Sequence, residues 1–316
     1  MRGVLFVVIV ALFALGGYLA LTGWFLAKTV AGTLALGPLA TSIAQADPPE
    51  DPLVLGYVGS PTDALGLPFE TITLETPLGP IEAWLIPAAG AEAGRAIYVH
   101  GIAGRRENGY RQLSILHEAG WTVLLTTYRN HGGAPRSEEG RYAFGLTEWP
   151  DLEAAVAWLA PEPDGPGLLV TADSMGAAVL GQFLSRSPLS DRVAAIALDS
   201  PAISFSAVTR QLARANGSFL GGAVAWTAGR LVPRLTGLPL SDAEVAGFFT
   251  AFPGPVFIAH GTADRIVPIA PSEALAANRR APTATLWTGA DHLGSFAEDP
   301  AAYREALAAF LADLGR

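Results

Sequence analysis

The sequence predicts an α/β fold: a mostly parallel central sheet with helices on both faces, interrupted by a helical insertion and preceded by a membrane-crossing helix. Three observations carry this. From residue 69 onward, short apolar runs alternate with stretches of helical period. One of those runs leads through Ala172-Asp173-Ser174-Met175-Gly176 directly into a helix of small residues. The first 28 residues hold a long apolar run without charge.

Between Val4 and Ala27 no residue is charged, and a helix over this stretch is roughly 36 Å long, against about 30 Å for a hydrocarbon core. A cleaved secretory signal is the alternative. Its apolar region is normally shorter, and the one Ala-x-Ala site, Ala44-Gln45-Ala46, lies far beyond the end of this run. An uncleaved anchor over residues 1–28 is therefore expected. Arg2 and the amino terminus lie on one side of the run and Lys28 on the other, which favours the amino end inside and the remainder of the chain outside the cytoplasm.

Residues 29–68 read as a membrane-proximal segment. Thr29 to Ala46 is uncharged and is expected either along the membrane surface or against the domain. Asp47-Pro48-Pro49-Glu50-Asp51-Pro52 then reads as a stiff polar tether, because proline prevents a helix from continuing.

The main domain is expected over residues 69–316. Phe69–Thr76 and Ile81–Ile86 have strand character and flank Pro-Leu-Gly-Pro, which predicts an opening hairpin. Ala96–Val99, Thr122–Thr126, Leu168–Val170, Val193–Leu198, Val256–Ala259 and Ala284–Trp287 are compact apolar runs that suit strands buried on both faces. Helices are expected over Tyr110–Ala119, stopped by Gly120, and over Asp151–Leu159, Ser174–Ser185 and Pro300–Leu314. Ala202 to Thr250 breaks the alternation with a helix-like, Gly-punctuated stretch, where a cap is expected.

Composition narrows the chemistry. The absence of cysteine removes disulfides, thiolate metal sites and a thiol nucleophile. The net charge is −9, and with Arg2 and Lys28 confined to the first 28 residues the remainder carries −11, a poor match for a nucleic-acid backbone. No two histidines stand at metal-ligand spacing with an acid, so neither a metal nor another cofactor is expected.

Leu168-Leu169-Val170 followed by Ala172-Asp173-Ser174-Met175-Gly176 and a helix is the sharpest signal. A serine on a sharp strand-to-helix turn projects its hydroxyl above the sheet, and small residues on either side let the turn pass close to its neighbours. Gly176 fits, whereas Ala172 stands where glycine is usual. On these residues the chain resembles the alpha/beta-hydrolase superfamily over roughly Phe69 to Leu314, and is most similar to membrane-anchored bacterial members of lysophospholipase or acyl-peptidase type.

The resemblance implies the order nucleophile, acid, histidine. It points to Ser174; to Asp264 in His260-Gly261-Thr262-Ala263-Asp264-Arg265; and to His292 in Gly289-Ala290-Asp291-His292-Leu293. Asp199, in Leu198-Asp199-Ser200-Pro201, is the rival acid. The resemblance also implies oxyanion donors at the backbone of Ile102, which follows His100-Gly101, and of Met175, which follows the nucleophile. His117 reads as a helix-face residue, His131 as structural, and His260 as a strand-end residue bonded to backbone.

The expected chemistry is hydrolysis of a carboxylic ester, lipid-like or small, through an acyl-enzyme. Phe205, Phe219, Trp226, Leu231, Phe248 and Phe249 of the cap are expected to face the pocket or to pack the cap on the sheet. An amide or thioester substrate, and a membrane-tethered binding module without chemistry, are the alternatives.

Overall fold

In the computed structural model, residues 1–37, 47–160 and 168–314 are described. Ala44-Gln45-Ala46 and the end of the uncharged stretch before the tether lie outside them.

The sheet has eight strands in the order β1-β2-β4-β3-β5-β6-β7-β8. β1 (Glu70–Thr76) and β2 (Gly79–Ile86) form the antiparallel hairpin, and β2 pairs antiparallel with β4 (Trp121–Leu125). Every later pairing is parallel, through β3 (Gly94–Val99), β5 (Leu168–Asp173), β6 (Val193–Asp199), β7 (Val256–Gly261) and β8 (Thr283–Thr288). β5 and β7 are buried along their whole length, as uniformly apolar parallel strands require. β8 departs from the expectation of burial on both faces. It is an edge strand whose side chains are half-buried or exposed, since only β7 covers one flank.

Side chains alternate between two cores. On β3, Ile97 and Val99 join one core, while Ala96 and Tyr98 join the other. The first core takes in α4 (Trp149–Leu159), α5 (Met175–Arg186) and the cap. The second lies under α3 (Tyr110–Glu118) and α11 (Pro300–Leu314), where Phe257 packs edge-on against Tyr303 at 6.2 Å. Short helices α2 (Pro61–Leu65), α9 (Ala270–Asn278) and α10 (Ser295–Glu298) fill connections.

The cap comprises α6 (Phe205–Ala215), α7 (Gly221–Thr236) and α8 (Ala246–Ala251). Ser204 caps α6 by accepting from the Ala207 amide. Helix α1 (Arg2–Thr33) runs six residues beyond Ala27, and its second half is docked on α7. Leu26, Ala27, Val30 and Leu34 enter the first core. Gly23 permits the approach, because a Cβ there would lie 2.6 Å from Thr227 Cγ2. Arg141 donates to the Ala31 carbonyl at 2.7 Å, and the Tyr142 amide to Leu34 at 2.8 Å. The apolar helix is thus built into the domain at its far end, ahead of the proline-rich segment.

Candidate active site

The site lies at the carboxyl ends of β3, β5, β7 and β8, where an open α/β sheet presents its loops. Ser174 stands between β5 and α5 at φ 49°, ψ −118°, a conformation that costs a non-glycine residue on the order of 1–3 kcal/mol. The surroundings hold it there. Its amide donates to Asp199 O at 3.0 Å, and its carbonyl accepts from the Ala177 and Ala202 amides at 3.1 and 3.0 Å. Gly176 is obligatory, since a Cβ would sit 2.4 Å from the Val99 carbonyl. Ala172, the departure from the usual glycine, is fully buried in the first core, where its methyl is accommodated.

Ser174 Oγ lies 2.9 Å from His292 Nε2, and His292 Nδ1 lies 2.7 Å from Asp264 Oδ2. A carboxylate facing Nδ1 fixes the hydrogen on that nitrogen, so Nε2 accepts from the serine hydroxyl. Asp264 is itself held by the Ile266 and Val267 amides at 2.9 and 2.8 Å. Burial alone would raise its carboxyl; hydrogen bonds from His260 and His292 and from the Val267 amide outweigh this and keep it below the usual carboxylate range.

His260 does more than end a strand. Its Nε2 faces both Asp264 Oδ2 at 3.2 Å and Val267 O at 3.1 Å, while its Nδ1 meets Ser272 Oγ at 2.8 Å. Two acceptors opposite Nε2 place the hydrogen there, so His260 donates to the same oxygen that holds His292. The four-residue spacing from His260 to Asp264 across the end of β7 was the available signal. Arg265 and Asp291 join the acid loop to the histidine loop: the Arg265 amide and Nε reach Asp291 at 2.9 and 2.7 Å, and its Nη2 makes a further close contact. Asp291 also accepts from the His292 amide at 2.9 Å.

The loop after β3 is pinned from below. Tyr128 Oη donates to the His100 carbonyl at 2.8 Å, and the His100 ring stacks on Tyr128 at 4.5 Å. Ala103 takes φ 52° and donates its amide to His131 Nε2 at 3.1 Å. Burial lowers His131 to about 4, so it is neutral and free to accept. Among the described residues no acceptor pairs with the amides of Ile102 or Met175. His117 is half-buried on α3 and takes no part in the site.

Asp199 is placed differently. It is buried on β6, accepts from Tyr303 Oη at 3.1 Å and faces Arg111 at 3.8 Å, with no bond to His292 among the described residues. It belongs to a cluster that sequence reasoning missed. Arg111 and Gln112 of α3 bind Asp173 at 2.7 and 2.9 Å, and Tyr98 Oη donates to Asp173 at 2.8 Å. Burial pushes the Asp173 carboxyl upward against the pull of Arg111. Polar helix residues normally face water, so neither Arg111 nor Gln112 gave any sign of burial in the sequence.

Ser174 and His292 open onto a cavity of about 780 Å³ with an apolar wall that includes Val54, Leu55, Val58, Ile102, Ile266 and Leu293. The expectation that cap aromatics face this pocket is corrected here. Phe249 is wholly buried in the core, Phe205 packs edge-on against Phe144 at 5.2 Å, and none of the six cap side chains lines the cavity. Residues of the chain leading from the tether wall the cavity instead.

No family model matches this chain. An uncharacterised protein of Salmonella typhimurium, YfhR, is 27% identical over 250 residues, covering 73% of this chain and 77% of its own. An uncharacterised Mycobacterium tuberculosis protein is 34% identical over 131 residues, covering 40% of this chain and 42% of its own. Among solved structures, the Pyrococcus furiosus esterase Pf2001 superposes with a TM-score of 0.64 at 20% identity, covering 85% of this chain and 97% of that one. An esterase of Thermogutta terrifontis superposes with a TM-score of 0.55 at 18% identity, covering 78% and 100%. With the sheet order and the strand-end site described above, these likenesses give the chain the alpha/beta-hydrolase fold.

Proposed function

We propose that this chain is a membrane-anchored serine hydrolase that cleaves carboxylic esters with an apolar acyl or alkyl part. The observation that carries this is the hydrogen-bonded line from Ser174 through His292 to Asp264 beside an apolar cavity. His292 Nε2 takes the hydroxyl proton as Ser174 Oγ bonds to the ester carbon. The oxygen that becomes negative lies against the amides of Ile102 and Met175, each donor contributing on the order of 3 kcal/mol. His292 then protonates the departing alkoxide as the carbon–oxygen bond breaks, leaving an acyl-enzyme. A water deprotonated by His292 releases the acid and restores Ser174. Asp264 stays ionised throughout and stabilises the imidazolium.

In this reading residues 1–28 form the anchor and residues 69–316 the hydrolase, with the cap at about 202–250. Arg2 keeps the amino end in the cytoplasm, which places the hydrolase outside it. An apolar cavity walled by the chain next to the anchor favours a lipid-like ester, of the lysophospholipase kind, over a peptide amide. A fluorophosphonate should label the wild type, and Ser174→Ala should abolish labelling. The variant should also lose several powers of ten in turnover of p-nitrophenyl esters. Persistent labelling of Ser174→Ala would refute the nucleophile; labelling with turnover of peptide amides but not esters would refute the substrate class.

A further inference from the structure

We infer that the tip of the cap is embedded in the membrane beside α1 and seats the domain on an anionic lipid surface, a reading that rests on α1 being the anchor. Helices α1 and α7 run side by side in the same direction. Tyr18 Oη donates to the Phe219 carbonyl at 2.7 Å, and Gly23 meets Thr227 further along. The turn from α6 to α7 therefore stands level with Tyr18. Only Arg2 to Gly17 projects free of the domain, roughly 24 Å of helix, which falls short of a hydrocarbon core of about 30 Å.

The apolar surface does not stop where the free helix stops. Leu21 and Phe25 are 58% and 60% exposed on the flank of α1, while Phe219 and Trp226 are 75% and 62% exposed on the cap. With Val4 at one boundary, a span of about 30 Å ends some twenty residues on, at Trp24. Tyr18 and the neighbouring tip then lie roughly 9 Å inside, the depth at which interfacial helices rest. Trp226 precedes Thr227, the residue facing Gly23, and so lies within about 3 Å of the boundary set at Trp24, where tryptophan is favoured. Lys28 and Arg230 follow one turn further out, with the Arg230 guanidinium 3.4 Å from the Trp226 ring centre.

Part of the tip's backbone is satisfied within the protein, which fits this depth. Within the tip the amides of Gly217 and Ser218 bond to Arg214 O and Ala213 O, and Tyr18 serves the Phe219 carbonyl. Charge fits as well. From Ser200 to Ser241 the chain holds Arg210, Arg214, Arg230 and Arg234, all exposed, and no acid. Residues 1–46 add Arg2 and Lys28 and again no acid, so all 29 acids of this acidic protein lie elsewhere. With Arg214 in its own turn, on a side chain long enough to snorkel, and Arg210, Arg230 and Arg234 farther back, the tip is complementary to anionic headgroups.

The cysteine-free sequence makes the test direct. Full-length Phe219→Cys, Trp226→Cys, Val10→Cys and Asn278→Cys, each carrying one environment-sensitive fluorophore, would be reconstituted in phosphatidylcholine vesicles containing phosphatidylglycerol. Nitroxide-labelled lipids supply the quencher. Val10 and Phe219 labels should lose most of their emission to acyl-chain nitroxides, the Trp226 label to headgroup-level nitroxides, and the Asn278 label to neither. Quenching at Val10 with Phe219 and Trp226 as bright as Asn278 would overturn the inference and leave the anchor standing. An unquenched Val10 label would remove the anchor and the embedded tip together.

Discussion

Arg111 Nη1 donates to the carbonyl of Leu293 at 2.9 Å, so a helix on the second core holds the residue that follows His292. The same guanidinium binds Asp173, the residue before Ser174, at 2.7 Å. One buried cation thereby ties the serine turn to the histidine loop, and its loss should be felt at both.

Arg111→Met should destabilise the fold by about 3–5 kcal/mol, because Asp173 and Asp199 would remain buried without their cation. A guanidinium chloride midpoint measures this. Arg111→Lys should recover part of the stability but not the Leu293 contact, and the fall in kcat should exceed that in binding. Unchanged midpoints in both variants would show that the two carboxyl groups need no counter-charge.

Asp264→Asn should cut kcat by around 10⁴ with the fold intact, because the amide favours the wrong His292 tautomer. Asp199→Asn should act on stability through Tyr303 and Arg111, leaving kcat within about tenfold of wild type by comparison with that loss. Steady-state kinetics on a small ester, paired with thermal melts, separate the two. The reverse pattern would make Asp199 the acid.

His131 should contribute an acid-sensitive decline in a defined window, opposed there by proton uptake at the raised Asp173 carboxyl. His131 in the fold lies at about 4, while the unfolded chain titrates near its ordinary value of about 6.5. Between these limits the unfolded chain takes up a proton that the fold refuses, so this contribution to stability declines as pH falls and then levels off. The loss is on the order of 3 kcal/mol. Asp264, whose carboxyl is held low, adds a further decline beginning below about 4. His131→Asn should flatten the upper part of this profile in melts across pH. A profile identical to wild type would show that another group titrates there.

Leu55→Ala or Val58→Ala should shift the preference among short and long acyl esters by about 1–3 kcal/mol, since both side chains wall the cavity. Phe249→Ala should leave that preference alone and cost about 3–5 kcal/mol of stability, as a fully buried aromatic does. Ratios of kcat/KM over an ester series distinguish the outcomes. A selectivity change in Phe249→Ala alone would return the pocket to the cap.

The strands of the sheet were legible because parallel strands carry their burial as unbroken apolar runs, and Leu168–Val170 and Val256–Ala259 are such runs. The three loops that meet at Ser174 were legible as the segments following those runs. What periodicity does not encode is which loop folds over which. The wall formed by Val54, Leu55 and Val58 comes from the short membrane-proximal stretch that follows the polar tether, which carries no strand or helix period. The docking of α1 on α7 is invisible for a related reason: Gly23, Ala27 and Val30 satisfy a lipid neighbour and a protein neighbour equally well. Arg111 was unreadable because its burial depends on two carboxylates 62 and 88 residues away in the chain.

The bond from Tyr18 to Phe219 joins residues 201 positions apart, which bears on how the molecule is assembled in time. At ordinary rates of synthesis, roughly 5–20 residues per second, α1 leaves the ribosome about 10–40 s before the helix it docks on. During that interval Ala27, Val30 and Leu34 have no protein partner. A bilayer receiving α1 early would shelter this face, and the finished cap would then draw the last turns of the helix out of lipid and onto itself. In the proposed reading of α1 as the anchor, anchoring comes first, and closure of the first core waits for the arrival of α7.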